Sequence, residues 1–308
     1  MNFTFNQLRI FVAVVDKKSI TKASEELHMT QPAVSIQISN LQSQFDIPLI
    51  EVIARKVYVT EFGMELYKLA VTTLEHVNSI HYKTHSFRGL LSGKLRVSVV
   101  STGKYIMPYY LKDFLKENPK IDLVMDVTNK SKVIESLEKN EVDFCLVSVL
   151  PKHIDLEEEI LLPNKLMLTA SSETDIKTKS RLHKSVLSDL PLIFREEGSG
   201  TRETMQQYFE KAGITPKVKL ELTSSEAVKQ AVLAGLGYSI LPVLSLKNEL
   251  KLKSIKIIPV QGLPLKSDWR LIWLRQKKFS SVAQAYLDFI RKQKPDIYKN
   301  YFLWTEAY

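Results

Sequence analysis

The sequence predicts an α/β protein with a small N-terminal segment of short helices, one long helix, and a larger region of alternating strands and helices. Three patterns support this fold class. Apolar residues recur at helical spacing in the first 60 residues, one helical pattern runs from Thr60 to about Phe87, and strand patterns alternate with helical ones after Lys94. Because strand–helix alternation builds parallel sheets with helices on both faces, the larger region is predicted to be of the α/β class.

The composition limits the possible functions before any motif is considered. Of 308 residues, 44% are apolar and 25% are charged, which excludes a disordered or collagen-like chain. The single cysteine, Cys145, excludes an intramolecular disulfide framework and a multi-cysteine zinc site. No apolar run approaches the roughly 18–20 residues that span a bilayer, and no signal-peptide pattern opens the chain, so we expect a cytoplasmic protein with no membrane partner.

The net charge of +9 indicates an anionic partner, but most of the charge lies far from the N-terminus. Residues 1–60 carry only +1 and residues 61–93 carry zero, which leaves +8 for residues 94–308. Net charge alone would therefore misplace a nucleic-acid site. It supports either an anionic ligand in the larger region or a solvated basic surface.

The first 60 residues contain start and stop signals for three short helices. A turn at residues 16–18 separates the first helix from the second, and a tight turn at residues 28–29 precedes the third. Thr30 is a strong N-cap, and Pro32 falls in the first turn of the third helix, where a missing N–H costs nothing. Residues 50–60 predict a short hairpin. Two helices, a tight turn and a third helix form the helix-turn-helix pattern.

The third helix of such a motif enters the major groove with its N-terminal side chains leading. Gln can form two hydrogen bonds to an adenine edge, Ser can contact bases or phosphates, and a basic hairpin tip can reach phosphates. Taken singly, residues of these types are also ordinary helix caps and surface polar groups. The candidate DNA-binding residues are Thr30, Gln31, Pro32, Ser35, Gln37, Arg55 and Lys56.

The long helical pattern predicts a linker and dimerisation helix. Its apolar positions advance by alternating steps of four and three residues, as in the seam of a two-helix coiled coil. The alternative is an amphipathic helix packed on its own domain. His81 and His85 lie four apart on this helix, but no carboxylate completes a zinc site, so we predict no metal. The candidate dimerisation residues are Leu66, Ala70, Thr73, Val77 and Ile80.

The larger region is predicted to fold as two lobes. Composition breaks near residues 162–164 and 263–267 would let the chain cross twice between them, giving lobe I at about 94–162 and 269–293 and lobe II at about 163–268. The predicted strands, which alternate with helices, lie near residues 95–100, 121–127, 144–149, 166–170, 192–194, 219–222, 239–241 and 269–274.

Several motifs carry a resemblance to a known family. In chain order they are Phe5-Asn6-Gln7-Leu8-Arg9-Ile10-Phe11, Ser19-Ile20-Thr21-Lys22-Ala23-Ser24, Thr30-Gln31-Pro32-Ala33-Val34-Ser35, Thr60-Glu61-Phe62-Gly63 and Ala234-Gly235-Leu236-Gly237. The chain resembles the LysR-type transcriptional regulators over essentially its whole length. The resemblance implies a winged helix-turn-helix at residues 1–60, a dimerisation helix at 61–90, and at 91–308 a two-lobed, periplasmic-binding-protein-like effector domain.

Two positions depart from the family pattern. The residue after Ser35 is commonly Arg in the family and is Ile36 here, and the residue after Glu51 is commonly Arg and is Val52 here. Loss of two cations should weaken phosphate contacts and flatten the salt dependence of DNA binding by up to about two units of slope. Base readout would then depend more on Gln31 and Ser35.

The segment Glu196–Arg202 follows a predicted strand and opens a helix, so its glycines and free N–H groups could hold an anion. It lacks the GK[ST] of a nucleotide-binding loop, and a plain helix cap is the alternative. It resembles the loop of the LysR subgroup that regulates carbon-fixation and sulfur-assimilation operons. The resemblance also implies cleft positions near Thr128, Asn129 and Thr223. The candidate effector-binding residues are Ser101, Thr102, Thr128, Asn129, Gly198, Ser199, Gly200, Thr201 and Thr223.

The leading hypothesis is a ligand-responsive transcriptional regulator. It would bind double-stranded promoter DNA as a dimer of dimers, take a small anionic metabolite between its lobes, and need no cofactor; RNA polymerase is a further candidate partner. A small-molecule binding or transport-accessory protein is the runner-up, because the larger region resembles periplasmic binding proteins. An enzyme ranks third, since the sequence contains no nucleophile elbow, HExxH or dinucleotide fingerprint.

Overall fold

The computed structural model describes residues 2–53, 56–86, 91–176 and 180–308, with the side chains of residue 75 and residues 78–86 outside the description. The chain divides into two compact units, Met1–Leu90 and Leu91–Tyr308. Over these described ranges, no helix is both long enough and apolar enough to cross a membrane.

The first unit contains three short helices, a hairpin and a long helix. They are α1 (Phe5–Lys17), α2 (Ile20–Glu26), α3 (Gln31–Gln42), β1 (Ile50–Ile53), β2 (Lys56–Val59) and α4 (Glu61–Ser86). The predicted inward stripe of α3, formed by Val34, Ile38 and Leu41, is buried in a core shared with α1. The helix-turn-helix prediction is confirmed at this level.

Short polar side chains begin the first three helices. Thr4, Ser19 and Thr30 each accept a hydrogen bond from the backbone N–H three residues on. The turns between the helices pass through Lys18 and His28, whose φ angles are 49° and 51°. The N-cap at Thr30 therefore fixes where α3 starts and which side chains lead it.

Thr60 and Gly63 fasten the start of α4 to the segment before the hairpin. The Thr60 hydroxyl donates to the carbonyl oxygen of Pro48 (2.6 Å) and accepts from the backbone N–H of Gly63 (2.9 Å). A Cβ at position 63 would lie 1.9 Å from the Leu49 carbonyl oxygen, so only glycine fits there. This contact gives a physical reason for the Thr-Glu-Phe-Gly motif.

The second unit alternates strands and helices as predicted. Its elements are β3 (Gly93–Val100), α5 (Met107–Glu117), β4 (Ile121–Thr128), α6 (Lys130–Glu138), β5 (Phe144–Val147), β6 (Leu156–Ser171), α7 (Val186–Asp189), β7 (Leu192–Arg195), α8 (Gly200–Ala212), β8 (Val218–Leu222), α9 (Ser225–Leu233), β9 (Ser239–Pro242), α10 (Lys247–Lys251), β10 (Ile255–Ile257), β11 (Leu265–Leu274) and α11 (Ser281–Tyr301).

The main sheet of this unit is mixed rather than parallel. Its strands follow the order β10-β6-β11-β5-β3-β4, with β9 also paired to β6. The parallel prediction holds for β3 with β4 and β5, and for the separate pair β7–β8. It is wrong for β6, β9 and β11, which pair antiparallel; β10, which was not predicted as a strand, also pairs antiparallel with β6.

Strands β6 and β11 pair with each other at the positions where the sequence predicts breaks between the lobes, near residues 162–164 and 263–267. Pro163 lies opposite Asp268, so both strands continue where the sequence suggests interruptions. The prediction of 166–170 for β6 was too short because its first half, from Leu156, carries three consecutive glutamates. Glu158 and Glu159 are paired with cations, Arg270 lying 2.6 Å from Glu158, and Glu157 accepts a hydrogen bond from the Trp273 indole. The acidic run is therefore strand rather than loop.

The C-terminal helix α11 is longer than the predicted 280–292. It continues through Pro295 to Tyr301 and is followed by a 3-10 turn. The tail covers its own unit: Phe302 is buried in a hydrophobic cluster with Tyr110 and Trp273, and the Lys165 ammonium donates to the carbonyl oxygen of Tyr308 (2.8 Å).

Candidate DNA interface and effector cleft

The leading end of α3 presents the predicted base-reading residues. Thr30, Gln31 and Pro32 are exposed, and Ser35 and Gln37 are half-buried further along the helix. The Thr30 hydroxyl also accepts the capping hydrogen bond from the backbone, so part of its bonding capacity is used inside the helix. Gln31 is the exposed side chain of this group with an amide group able to bond a base edge in two places.

The hairpin β1–β2 is fastened to the end of α3. The side-chain oxygen of Gln42 accepts hydrogen bonds from the backbone N–H groups of Leu49 (3.2 Å) and Ile50 (3.3 Å). Lys56 is exposed at the start of β2, whereas Arg55 lies outside the described residues. The connection sets the hairpin in a defined position beside the recognition helix.

The two departures from the family pattern are surface residues. Ile36 is 57% exposed on α3 and Val52 is 55% exposed on β1. Neither side chain is needed for the core of its unit, and neither can contact a phosphate electrostatically. Both positions therefore offer apolar contact where the family commonly has a cation.

The long helix α4 has an apolar groove at its start. Ala70 is only 1% exposed and Leu66 packs beside it on the core of its own unit, which favours the alternative of intradomain packing for these two positions. Val77 is half-buried, and the side chain of Ile80 lies outside the described residues. The groove is lined by Phe3, Thr4, Phe5, Leu8, Phe45, Phe62, Glu65, Leu66, Leu69, Ala70 and Thr73.

The second unit has a cleft where several parallel strands end. It contains about 320 Å³ of empty space including its open mouth. Polar residues reach it from the segments that follow β3, β4 and β5 and from the start of α8. This is the edge at which open α/β sheets bind ligands. The residues lining the cleft are Val100, Ser101, Thr102, Asn129, Lys130, Val147, Ser148, Val149, Arg195, Ser199, Gly200, Thr201 and Trp269.

Six of the nine predicted effector-site residues line this cleft: Ser101, Thr102, Asn129, Ser199, Gly200 and Thr201. Gly198 lies at its edge, where its carbonyl oxygen accepts a hydrogen bond from the Ser131 backbone and a Cβ would lie 2.5 Å from the Ser131 hydroxyl oxygen. Thr128 ends β4 outside the lining. Thr223 is exposed after β8 and also lies outside it.

Sequence reasoning missed four polar residues of the cleft. Lys130 and Ser148 follow the ends of β4 and β5, so the same strand-end rule could have found them. Arg195 ends β7 and is 4% exposed; Glu196 pairs with it through two hydrogen bonds of 2.7 and 2.8 Å. Trp269 begins a predicted strand, and no sequence pattern marked it as a cleft residue.

Two family models match these two units. "Bacterial regulatory helix-turn-helix protein, lysR family" matches residues 5–64, and "LysR substrate binding domain" matches residues 88–295. The chain belongs to the LysR family of transcriptional regulators.

Individual relatives agree with this membership. The chain is 33% identical to the RuBisCO operon transcriptional regulator of Allochromatium vinosum, over 94% of this chain and 96% of that one. The CcmR regulatory domain of Synechocystis PCC6803, solved in complex with 2-PG, is 34% identical with a TM-score of 0.62, covering 65% of this chain and 96% of that one. Full-length CbnR, solved with its target DNA, has a TM-score of 0.72 over 94% of this chain and 99% of that one; at 22% identity it supports the fold.

The LysR-family chain also bonds its two lobes directly beside the cleft. The hydroxyls of Thr102, which lines the cleft, and Ser225 lie 3.3 Å apart, and the Arg195 guanidinium donates to Ser225. Next to them the Tyr105 hydroxyl, after β3, donates to the Glu226 carboxylate at the start of α9 (2.6 Å). The bonds of Thr102 to Ser225 and of Tyr105 to Glu226 join residues of the two predicted lobes.

The pKa values of this lobe-to-lobe pair are strongly shifted. Burial, followed by the hydrogen bond to Glu226, raises the pKa of Tyr105 to about 12. Burial alone would raise the pKa of Glu226, but hydrogen bonds from Tyr105, Gln230 and Lys229 outweigh it and lower the pKa to about 2. At neutral pH the phenol is therefore neutral and the carboxylate charged, as their hydrogen bond requires.

Cys145 lies apart from this chemistry. It is fully buried, and burial raises the pKa of its thiol to about 12, which keeps it unreactive. Among the residues that the structure describes, no group of three or more His, Cys, Asp or Glu side chains is placed to hold a metal ion.

Proposed function

We propose that this LysR-family regulator is controlled by a small anionic metabolite bound in the cleft of its second unit. The observation that carries the proposal is the convergence of two helix starts on one cleft. Asn129 caps α6 and Ser199 precedes α8, and both line the cleft together with the turn at Thr102. The start of α8 has no side-chain cap, so its first N–H groups and partial positive charge favour an anion, whereas the N–H groups of Ser131 and Lys132 in α6 are already bonded within the protein.

The charges around the cleft support a small ligand. Lys130 contacts Glu203 at 2.6 Å and Arg195 is paired with Glu196, so both cations already have carboxylate partners. The site is therefore polar without a large unpaired charge. Backbone N–H groups and hydroxyls can hold an anion there. The relative solved with 2-PG makes that compound the first one to test.

The test is calorimetric titration of the full chain with 2-PG, inorganic phosphate and sulfate. At least one should bind saturably. Thr201→Val should cost about 1–3 kcal/mol of affinity, because it removes a hydroxyl from the cleft lining and leaves a ligand acceptor unpaired. Thr223→Val is the matched control, since Thr223 is exposed and outside the cleft. Equal affinities in both variants, or no binding in the wild type, would contradict the proposal.

We propose further that the protein binds promoter DNA through α3 and the hairpin, as a dimer that associates into a dimer of dimers. Its site of action would be the cytoplasm, with the DNA. The apolar groove of α4 supports dimerisation: Leu69 in its lining is 66% exposed, and Phe5 is also exposed. A second copy of this unit could cover an apolar surface of this kind.

A further inference from the structure

Trp269, which lines the effector cleft, has a buried hydrogen-bond donor without a partner among the described residues. The residue is 1% exposed and lines the cleft, and its indole nitrogen has no hydrogen-bond partner among the described residues. A buried indole N–H normally finds an acceptor, because an unpaired buried donor carries a desolvation penalty. An unpaired donor in a ligand cleft needs an explanation that packing alone does not give.

The backbone around Trp269 is irregular at this point. Strands β6 and β11 lose register between Trp269 and Arg270: Trp269 lies opposite Leu162, whereas Arg270 lies opposite Ile160. The residue left over on β6, Leu161, has its carbonyl oxygen bonded by the Tyr110 hydroxyl (3.1 Å). Bulges of this kind re-aim side chains and occur next to functional sites.

We infer that the indole N–H of Trp269 binds an acceptor oxygen of the effector. This inference rests on the proposed function, since it assigns a new binding residue to the same cleft. An indole N–H can donate but cannot accept, and the Lys130 ammonium and Arg195 guanidinium on the cleft wall are also donors only. The ligand group that meets Trp269 is therefore an oxygen acceptor such as a carboxylate, phosphate or carbonyl oxygen, and not an ammonium or a hydrocarbon group.

Trp273 provides a matched control on the same strand. It is 2% exposed and belongs to the same hydrophobic cluster as Trp269, but its indole N–H is bonded to Glu157 (3.2 Å) and it does not line the cleft. Trp→Phe at either position keeps an aromatic ring and removes the N–H. The two variants lose similar packing, but only the change at 269 removes a donor from the cleft.

The experiment measures 2-PG affinity by calorimetry for wild type, Trp269→Phe and Trp273→Phe, with melting temperatures recorded for each. Trp269→Phe should bind 2-PG about 10-fold or more weakly, as expected for loss of a hydrogen bond to a charged acceptor, and Trp273→Phe should bind as wild type does. If the Trp269 side chain only packs in the core, Trp269→Phe will bind 2-PG with wild-type affinity. That result would overturn the assignment and leave the proposed function intact. If wild type binds none of 2-PG, inorganic phosphate and sulfate, both proposals are wrong.

A second measurement does not depend on Trp269→Phe being folded. The chain has three tryptophans, so Trp273→Phe/Trp304→Phe leaves Trp269 as the only one. Its fluorescence should change saturably with 2-PG, with the midpoint that calorimetry gives for the same variant. Emission that stays constant while calorimetry shows saturation would place the bound anion away from the indole and overturn the assignment.

Discussion

The DNA-binding unit and the sensing unit hold their functional side chains in opposite ways. On α3 the candidate base-reading residues are exposed or half-buried and follow one another within about two turns, beginning at Thr30. In the sensing unit the candidate ligand-binding residues are largely covered and come from segments as far apart as Ser101 and Trp269. The first surface is formed by one helix, and the second exists only when two lobes are assembled.

This difference predicts different failures on mutation. A change on α3 alters one contact with DNA and leaves the fold alone, because the side chain faces solvent. A change in the cleft acts on a group that packs or bonds with the other lobe, such as Thr102 with Ser225. Cleft variants therefore need stability controls, whereas variants of α3 can be compared directly through DNA affinity.

The largest effect is expected from breaking the proposed dimer. Leu69→Glu places a charge in the apolar groove of α4, where it would be buried without a partner in the dimer. The dimer should dissociate, and affinity for a two-half-site operator selected in vitro should fall by about 100-fold or more, since the second half-site no longer binds intramolecularly. Analytical ultracentrifugation and a binding titration measure the two effects.

Thr72→Glu is the control for this change. Thr72 is exposed on the same helix and does not line the groove, so the variant introduces the same charge without burying it. It should keep the wild-type mass and operator affinity. A Leu69→Glu protein that also sediments at the wild-type mass would show that the groove is not the dimer contact.

An intermediate effect is expected at the DNA surface. Gln31→Ala should cost about 1–3 kcal/mol on the selected operator and little on random DNA, because it removes a base contact and no phosphate contact. Asn40→Ala, which removes an exposed amide from the far end of α3, should change neither affinity. Equal losses of Gln31→Ala on both DNAs would mean that Gln31 does not read bases.

The same contrast explains how much could be predicted from the sequence. The helix-turn-helix was predictable because caps, turns and an inward stripe are local signals, as with Thr30 and Ile38. Six cleft residues were predictable because strand ends in an α/β fold converge on one edge. Trp269 could not be predicted as a cleft residue, because its position in the lining depends on which strands pair with β11. The full length of β6 could not be predicted from the sequence, because its acidic half is stabilised by cations distant in sequence, such as Arg270.

The smallest expected effect concerns the bond between the lobes. The pKa of Glu226 is lowered from 4.5 to about 2, so its contribution to stability is complete above pH 4.5 and is lost as the pH falls toward 2. The pKa of Tyr105 is raised from 10.0 to about 12, so its contribution is complete below pH 10 and is lost as the pH rises toward 12. The Tyr105–Glu226 bond should therefore stabilise the second unit evenly across neutral pH and weaken at both extremes.

A double-mutant cycle isolates this bond. Tyr105→Phe and Glu226→Gln, alone and combined, should show a coupling energy under about 1 kcal/mol near pH 7, since the Glu226 side chain is 39% exposed and solvent screens it. The coupling, obtained from calorimetric unfolding, should stay constant from pH 5 to about pH 3, where the folded carboxylate is still charged, and should shrink as the pH falls toward 2. In the control cycle, Tyr208→Phe takes the place of Tyr105→Phe. The Tyr208 hydroxyl donates to the carbonyl oxygen of Gln261, so Tyr208 should show no coupling to Glu226. A Tyr105–Glu226 coupling that is absent at pH 7, or that stays constant down to pH 2, would mean that the carboxylate charge does not stabilise this contact.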